Sequence, residues 1–349
     1  MRHANVALFV PNNGCPHACS FCSQKSITGK AVQPEPADVI SAAETALSSL
    51  GERAKSAEIA FFGGSFTALE RTYMISLLEA AYPYIKRGSF AGIRLSTRPD
   101  AVDSEILSIL RNYGVTTIEL GAQSMDDRVL ALNERGHTAR QVKSAAALIH
   151  TYGFSLGLQM MTGLYGDTVS GAWNTAEELA ALSPDCVRIY PTIVLKGTKL
   201  GELFLLGKYH PPGMEETVSL CAGLLDFFEE RRIPVIRLGL HASPELERDT
   251  LAGPWHPAFR ELCESRRMLD RITRSLTVSG VPKGRIVIRV NPKSISVANG
   301  QKKRNLKALS AFGYSAALEQ DAALSRGDFQ ICDAGGKRLA AEIAGAPGL

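Results

Sequence analysis

Asn12-Asn13-Gly14-Cys15-Pro16-His17-Ala18-Cys19-Ser20-Phe21-Cys22 follows directly on the β-rich run Val6–Val10, and its three cysteines are spaced C-x3-C-x2-C. The chain has 349 residues and an odd count of seven cysteines, and it is long enough to bury a core without disulfide staples. Clustered thiols at the end of a strand therefore read as metal ligands or catalytic groups. Three soft sulfur ligands suit an iron–sulfur cluster or zinc. A structural zinc site takes four protein ligands, and no fourth Cys or His follows at zinc-ribbon spacing; His17 lies inside the loop, where ligation beside its neighbours is awkward. Three ligands leave the fourth iron of a cubane open, and an open metal position implies a reactant there. The bland alternative is three unrelated buried cysteines.

Outward from this loop, short β-rich runs alternate with amphipathic helical stretches. The predicted strands are Val6–Val10, Ala57–Phe62, Gly92–Ser96, Thr116–Leu120, Phe154–Met161 and Cys186–Tyr190. Between them the helical period appears at Ala37–Leu50, Leu69–Tyr82, Ser104–Asn112, Arg140–His150 and Ala172–Leu182. Parallel strands need crossovers, which helices supply, so this order predicts an α/β fold over residues 1–240, a partial (β/α)6 TIM-like barrel. By analogy with complete barrels its functional loops lie at the carboxyl ends of the strands. From about Leu240, His241-Ala242-Ser243-Pro244 and Gly253-Pro254-Trp255-His256-Pro257 break the alternation. A helix at Ala258–Ser275, a strand at Arg285–Val290, a helix at Lys302–Phe312 and a strand at Tyr314–Leu318 then predict a small C-terminal α/β domain over 241–349.

Hydrophobic residues make up 45% and charged residues 21%, ordinary for a soluble globular protein. No apolar run approaches the roughly 20 residues of a membrane helix. The start lacks the apolar region and cleavage site of a signal peptide, so no membrane is expected and the cytoplasm is the expected location.

Several strand ends carry polar or glycine motifs. Gly63-Gly64-Ser65 closes the second strand, where glycine permits positive φ and close backbone approach to a ligand. Ile93–Asp100, Glu119–Ser124, Leu132–His137, Met160–Leu164 and Arg188–Thr192 follow in order. A guanidinium pairs well with a carboxylate, which singles out Arg135. Tyr190, Lys196 and His241 also follow strand ends, and Tyr190 is the candidate catalytic residue, projecting from the last of the predicted barrel strands.

The cysteine loop resembles the signature of the radical S-adenosylmethionine (SAM) superfamily. The strand-end motifs over about Asn5–Arg237 are similar to the Elongator catalytic-subunit branch and to oxygen-independent coproporphyrinogen III oxidases. The resemblance implies a [4Fe–4S] cluster on Cys15, Cys19 and Cys22, whose open iron chelates SAM. It implies reductive cleavage of SAM to a 5′-deoxyadenosyl radical, with electrons from a donor such as flavodoxin or ferredoxin. Phe21 then matches the aromatic position near adenine, and Gly63, Gly64 and Ser65 match the motif for the methionine amino group, with Ser65 where many members have Glu. Ser96 falls near the ribose, Gln123 and Arg135 near the ribose or carboxylate, and Gln159 where the porphyrinogen enzymes have Asp. Two departures stand out: Elongator subunits have a wider first gap between cluster cysteines and an acetyltransferase domain, and no acetyl-CoA motif is evident after Leu240.

The interval Arg271–Leu318 holds ten basic residues and no Asp or Glu, in a chain of net charge +4. Gly300-Gln301-Lys302-Lys303-Arg304-Asn305, with Lys307, could place donors for a phosphate backbone at a helix start. A solvated basic face is the competing reading. Three functions follow: a radical SAM enzyme modifying RNA, with a tRNA base as the expected target; one acting on a small metabolite or tetrapyrrole precursor; and a non-catalytic metal-binding RNA adaptor.

Overall fold

The structure, a computed structural model, describes residues 5–11, 19–23, 26–27 and 32–342. Cys15 lies outside the described residues. The chain forms two compact units, 1–213 with 233–255, and 214–232 with 256–349.

In the first unit, β1 (Asn5–Val10), β2 (Glu58–Gly63), β3 (Gly92–Thr97), β4 (Val115–Gln123), β5 (Ser155–Thr162) and β6 (Cys186–Pro191) pair in chain order, all parallel. After a two-residue strand, β7 (Val194–Leu195), a seventh parallel strand, β8 (Val235–Leu238), adds to β6. The result is a curled half-barrel sheet, one strand larger than the pattern of the sequence predicts. β8 escapes detection because it has four residues, only Leu238 of them buried, and so shows no alternation. Tyr190 accordingly projects from the penultimate strand, not the last.

Helices Pro36–Leu50, Arg71–Lys86, Ser104–Asn112, Ala139–Thr151 and Val169–Ala181 supply the crossovers. Their starts are chemically marked. Asp103 accepts the Ile106 N–H at 2.8 Å, and Thr138 with Gln141 forms a reciprocal capping box. Ile59, Ile93, Leu95, Ile118 and Leu156 are completely buried, as expected for parallel strands covered on a face by helices. β7 pairs antiparallel with β9 (Thr250–Ala252).

In the second unit, helix Met214–Glu230 packs along helix Phe259–Val278, and Arg267 bridges to Asp226 and Glu229. A four-stranded sheet follows, in which β10 (Gly284–Val290) lies between the parallel β11 (Tyr314–Gln320) and the antiparallel β12 (Phe329–Cys332), with β13 (Arg338–Glu342) outermost. Ile272, Leu276, Ile286, Ile288, Val290, Phe329 and Ile331 form its core. The sequence reading found β10 and β11 but not β12 and β13, which are short. No helix among the described residues is long and apolar enough to cross a membrane.

Candidate active site

The parallel registers align Ser96 with Glu119, Glu119 with Gly157, Gln159 with Arg188, and Arg188 with Arg237. Side chains alternate along a strand, so these groups share one face of the sheet together with Glu58 and Arg94. There they interlock. The Glu119 carboxylate accepts from Arg94 Nη1 at 2.9 Å, from Arg188 Nε at 2.6 Å and Nη2 at 2.9 Å, and from Gln159 Nε2 at 3.0 Å. Arg94 Nε donates to Glu58 at 2.7 Å, and Thr116 and Thr117 donate to the other Glu58 oxygen at 2.8 Å each. Gln159 also donates to Ser96 Oγ at 3.2 Å.

Burial works against the charge on Glu58, yet Arg94 and the threonine hydroxyls hold its carboxyl below the usual range. Burial likewise opposes the charge on Arg188, but Tyr190 and Glu119 raise its affinity for the proton, and a hydrogen bond joins Arg188 to the Tyr190 phenol. Burial pushes that phenol up, so Tyr190 stays protonated at neutral pH.

A second constellation occupies the carboxyl ends of β3 and β4. Cys19-Ser20-Phe21-Cys22 is a turn closed by the Cys22 N–H on the Cys19 carbonyl at 3.1 Å. Buried Asn133 anchors it, accepting from the Ser20 N–H and Ser20 Oγ at 3.1 Å each, while the Leu200 N–H donates to the Ser20 carbonyl at 2.7 Å. Arg135 reaches the turn from its loop. Its Nη1 lies 3.1 Å from Cys19 Sγ, its Nη2 donates to the Gly121 carbonyl at 2.7 Å, and its guanidinium carbon is 6.0 Å from the Phe21 ring centre. The loop bends at Glu134 and Gly136, both with positive φ. Arg98, gripped by Asp100 at 2.9 and 3.0 Å, donates to the Arg135 carbonyl.

Gln123 ends β4 with φ of +68°, at a break in the register with β5. Among the described residues, Gln123 Oε1, Arg135 Nε, Arg98 Nη1 and His137 Nδ1 are buried without a hydrogen-bond partner. Buried polar atoms are nearly always paired, so several such atoms in one cluster point to a polar ligand.

The Radical SAM superfamily profile matches residues 9–179, and the Radical SAM C-terminal domain profile matches 184–270. The chain belongs to the radical SAM superfamily. It is therefore an enzyme, and the cofactors of this superfamily are a [4Fe–4S] cluster and SAM. The tRNA uridine(34) acetyltransferase of Dehalococcoides mccartyi is 26% identical over 246 residues, covering 59% of this chain and 52% of that protein. Human Elongator complex protein 3 is 32% identical over 201 residues, covering 51% of this chain and 36% of that protein. The chain thus spans about half the length or less of these relatives. The archaeal Methanocaldococcus infernus Elp3 with an N-terminal deletion (1–46) superposes with a TM-score of 0.58 at 19% identity, over 81% of this chain and 66% of that chain, a likeness of fold.

The residues present fit the radical SAM cofactors. Cys19 and Cys22 are half-buried thiols at the two ends of one turn, and the Arg135 guanidinium lies beside Cys19. Among the described residues no three His, Cys, Asp or Glu side chains converge as metal ligands; Cys15, the expected third, lies outside them. The unpaired atoms of Gln123 and Arg135 supply an acceptor and a donor next to that turn.

The structure thus brings Cys19, Phe21, Gln123 and Arg135 together, and it joins Ser96 to Gln159 through their hydrogen bond. Gly63, with φ of +109°, closes β2, and the Gly64 N–H donates to the Val10 carbonyl at 2.7 Å, tying that end to β1. Ser65 is buried at the start of the turn that follows. Lys196 is exposed and donates to the Arg248 carbonyl, and the His241 imidazole is pushed toward neutrality by partial burial and by Arg237. In the second unit Lys302, Lys303, Arg304 and Lys307 are all exposed, but Arg304 is ion-paired with Glu215.

Sequence reasoning missed Glu119, Arg94, Arg188, Arg98 and Asn133 as members of these networks. The available signal was a charge at alternate positions of a strand whose other residues are apolar, as in Arg94 with Ile93 and Leu95.

Proposed function

We propose that this radical SAM enzyme modifies RNA, with a tRNA base as the substrate class. Cys15, Cys19 and Cys22 would hold the cluster. Gly63, Gly64 and Ser65 would face the methionine amino group, Arg135 and Gln123 the carboxylate or ribose, Ser96 and Gln159 the ribose, and Phe21 the adenine. When bound, the cluster and SAM supply an organic radical after one-electron reduction by a flavodoxin- or ferredoxin-type donor.

The chain's own residues orient and exclude. Arg135 offers its guanidinium between the cysteine turn and the end of β4, where one cation serves both a thiolate and a carboxylate. Glu119 fixes Gln159 and Arg188 in position, so the groups that face cofactor and substrate lose little freedom on binding. Tyr190, protonated and bonded to Arg188, holds a proton at its hydroxyl beside the interior of the half-barrel.

The observation that carries the reading is the approach of Arg135 to Cys19 within a cluster of unpaired buried polar atoms. The relatives whose names specify tRNA uridine(34) support RNA as the substrate class, as do the exposed lysines at 302, 303 and 307. Anaerobically reconstituted protein should cleave SAM to 5′-deoxyadenosine under reductant, and Cys19→Ala should abolish this. Unimpaired cleavage in that variant would reject the cluster assignment. Comparing modified nucleosides in RNA from cells with and without the gene tests the substrate class; identical profiles would reject RNA.

A further inference from the structure

The second unit contains a cavity of about 290 Å³ framed by helices Met214–Glu230, Phe259–Val278 and Arg304–Ala311. That is just below the range of about 300–1,000 Å³ for drug-sized ligands, so it suits a single ring system better than an extended chain. Val218, Leu262 and Leu269 give it apolar walls, and Phe312, 52% exposed, stands at its edge.

The charges around it decide what it can take. Glu215 is paired with Arg304, and Arg266 with Asp270 at 2.9 Å, so both carboxylates in the lining are matched by arginines. A site for an anion would offer an unmatched cation, and a site for a cation an unmatched carboxylate. This lining instead suits a neutral, flat, polar-edged group that can lie against apolar walls and meet the Gln301 amide. Lys302 and Lys303, next in sequence to Gln301 and Arg304, are exposed and have no acidic partner among the described residues; both hold the left-handed conformation, at φ of +52° and +59°.

We infer that this cavity takes one nucleobase of an RNA strand, with Phe312 as a stacking surface and Lys302 and Lys303 near the strand's phosphates. Unstacked bases of single strands are recognised in this way, by aromatic faces and amide edges, with lysines tracking the backbone. The inference rests on the RNA reading above, and it assigns RNA docking to a pocket rather than to a basic face alone.

The test is the affinity of the full chain for a fluorescein-labelled, single-stranded RNA decamer of mixed sequence, with uridine monophosphate as a second probe. Thr273→Phe, which fills the cavity, should weaken decamer binding about tenfold or more, and Phe312→Ala, at an exposed position, several-fold. Lys302→Ala with Lys303→Ala should lower the salt dependence of binding by about one to two units of slope. A urea midpoint for each variant shows that it is folded, and if Thr273→Phe is not, Phe312→Ala decides. Decamer binding unchanged in the folded cavity variants overturns the pocket while leaving the RNA reading standing. Equal affinity of the wild type for decamer and mononucleotide overturns docking of a strand. No binding of either probe overturns the pocket, and the nucleoside profiles then judge the RNA reading separately.

Discussion

The two polar clusters of the half-barrel differ in how completely they are satisfied. Around Glu119 and Glu58, both carboxylates accept several hydrogen bonds, and the arginines that donate them are aligned by strand register. Around Arg135, four buried polar atoms lack partners among the described residues although their neighbours are held firmly. A network whose carboxylates are matched in this way is a scaffold, which holds Gln159 and, through it, Ser96 in place. An incomplete one beside two half-buried cysteines is where we propose that the cofactor makes its contacts. Polarity alone does not mark the site; unfinished polarity does.

The largest effect that would break this contrast comes from Glu119. Glu119→Ala leaves Arg94 and Arg188 buried with reduced compensation, and breaking a buried pair in this way costs about 3–5 kcal/mol. Urea denaturation should show that loss. Arg135→Ala should cost less stability, about 1–2 kcal/mol for its carbonyl contact. It should instead weaken SAM binding about 10–100-fold, as loss of an outer contact to a metal site does. Equal stability losses with unchanged SAM affinity would erase the distinction between scaffold and site.

Acid titration sharpens the comparison, because a buried group near the cofactor end responds in one direction and a loop carboxylate in the other. Burial, with Arg135 and Arg98 nearby, lowers the His137 imidazole from 6.5 to about 4. The unfolded chain therefore binds a proton near pH 6.5 that the folded chain refuses until about 4. Stability from neutral His137 is full above 6.5 and is lost as pH falls toward 4, by up to about 3 kcal/mol. Burial raises Asp167 from 3.8 to about 6, so the folded chain keeps a proton that the unfolded chain releases. That contribution is present at low pH and is lost as pH rises through about 6. The two slopes oppose each other between about pH 4 and 6. Asp167→Asn should steepen the acid loss measured by urea midpoints, and His137→Gln should reverse its sign. A wild-type slope retained in both variants would show that neither group governs it.

How much of this was legible before the fold was seen depends on how local each feature is. The cysteine turn is legible as a feature because Cys19 and Cys22 lie within a few residues of each other, and Gly63 because glycine tolerates the positive φ with which β2 closes. Glu119 shows in the sequence only as part of a strand-end motif, since its partners Arg94 and Arg188 are 25 and 69 residues away. A charge in a strand reads as solvent-facing until register places an opposite charge beside it. The basic interval shows the converse error. Counting from Arg271 to Leu318 excludes Glu319 and Glu215, yet these pair with Arg289 and Arg304. Strand β8 stayed hidden because four residues at a sheet edge carry too little periodicity.

The smallest predicted effect uses two glycines, one in each cluster. A Cβ at Gly157 would lie 2.7 Å from Glu119 Cγ, closer than real contacts allow. Glu119 is held by Arg94, Arg188 and Gln159, so it cannot swing aside without straining them, and Gly157→Ala should cost about 1–3 kcal/mol, the usual range for overpacking. A Cβ at Gly121 would meet Gln123 Nε2 at 3.0 Å and Arg135 Nη2 at 3.4 Å, both of them ends of long side chains. These can shift by a few tenths of an ångström, so Gly121→Ala should change the urea midpoint little. The same shift displaces the two groups assigned to SAM, so the variant should bind SAM several-fold more weakly. If Gly121→Ala instead destabilised the fold as much as Gly157→Ala and left SAM affinity intact, the cluster around Arg135 would be as rigid and complete as the one around Glu119, and the assignment of cofactor contacts to it would fail.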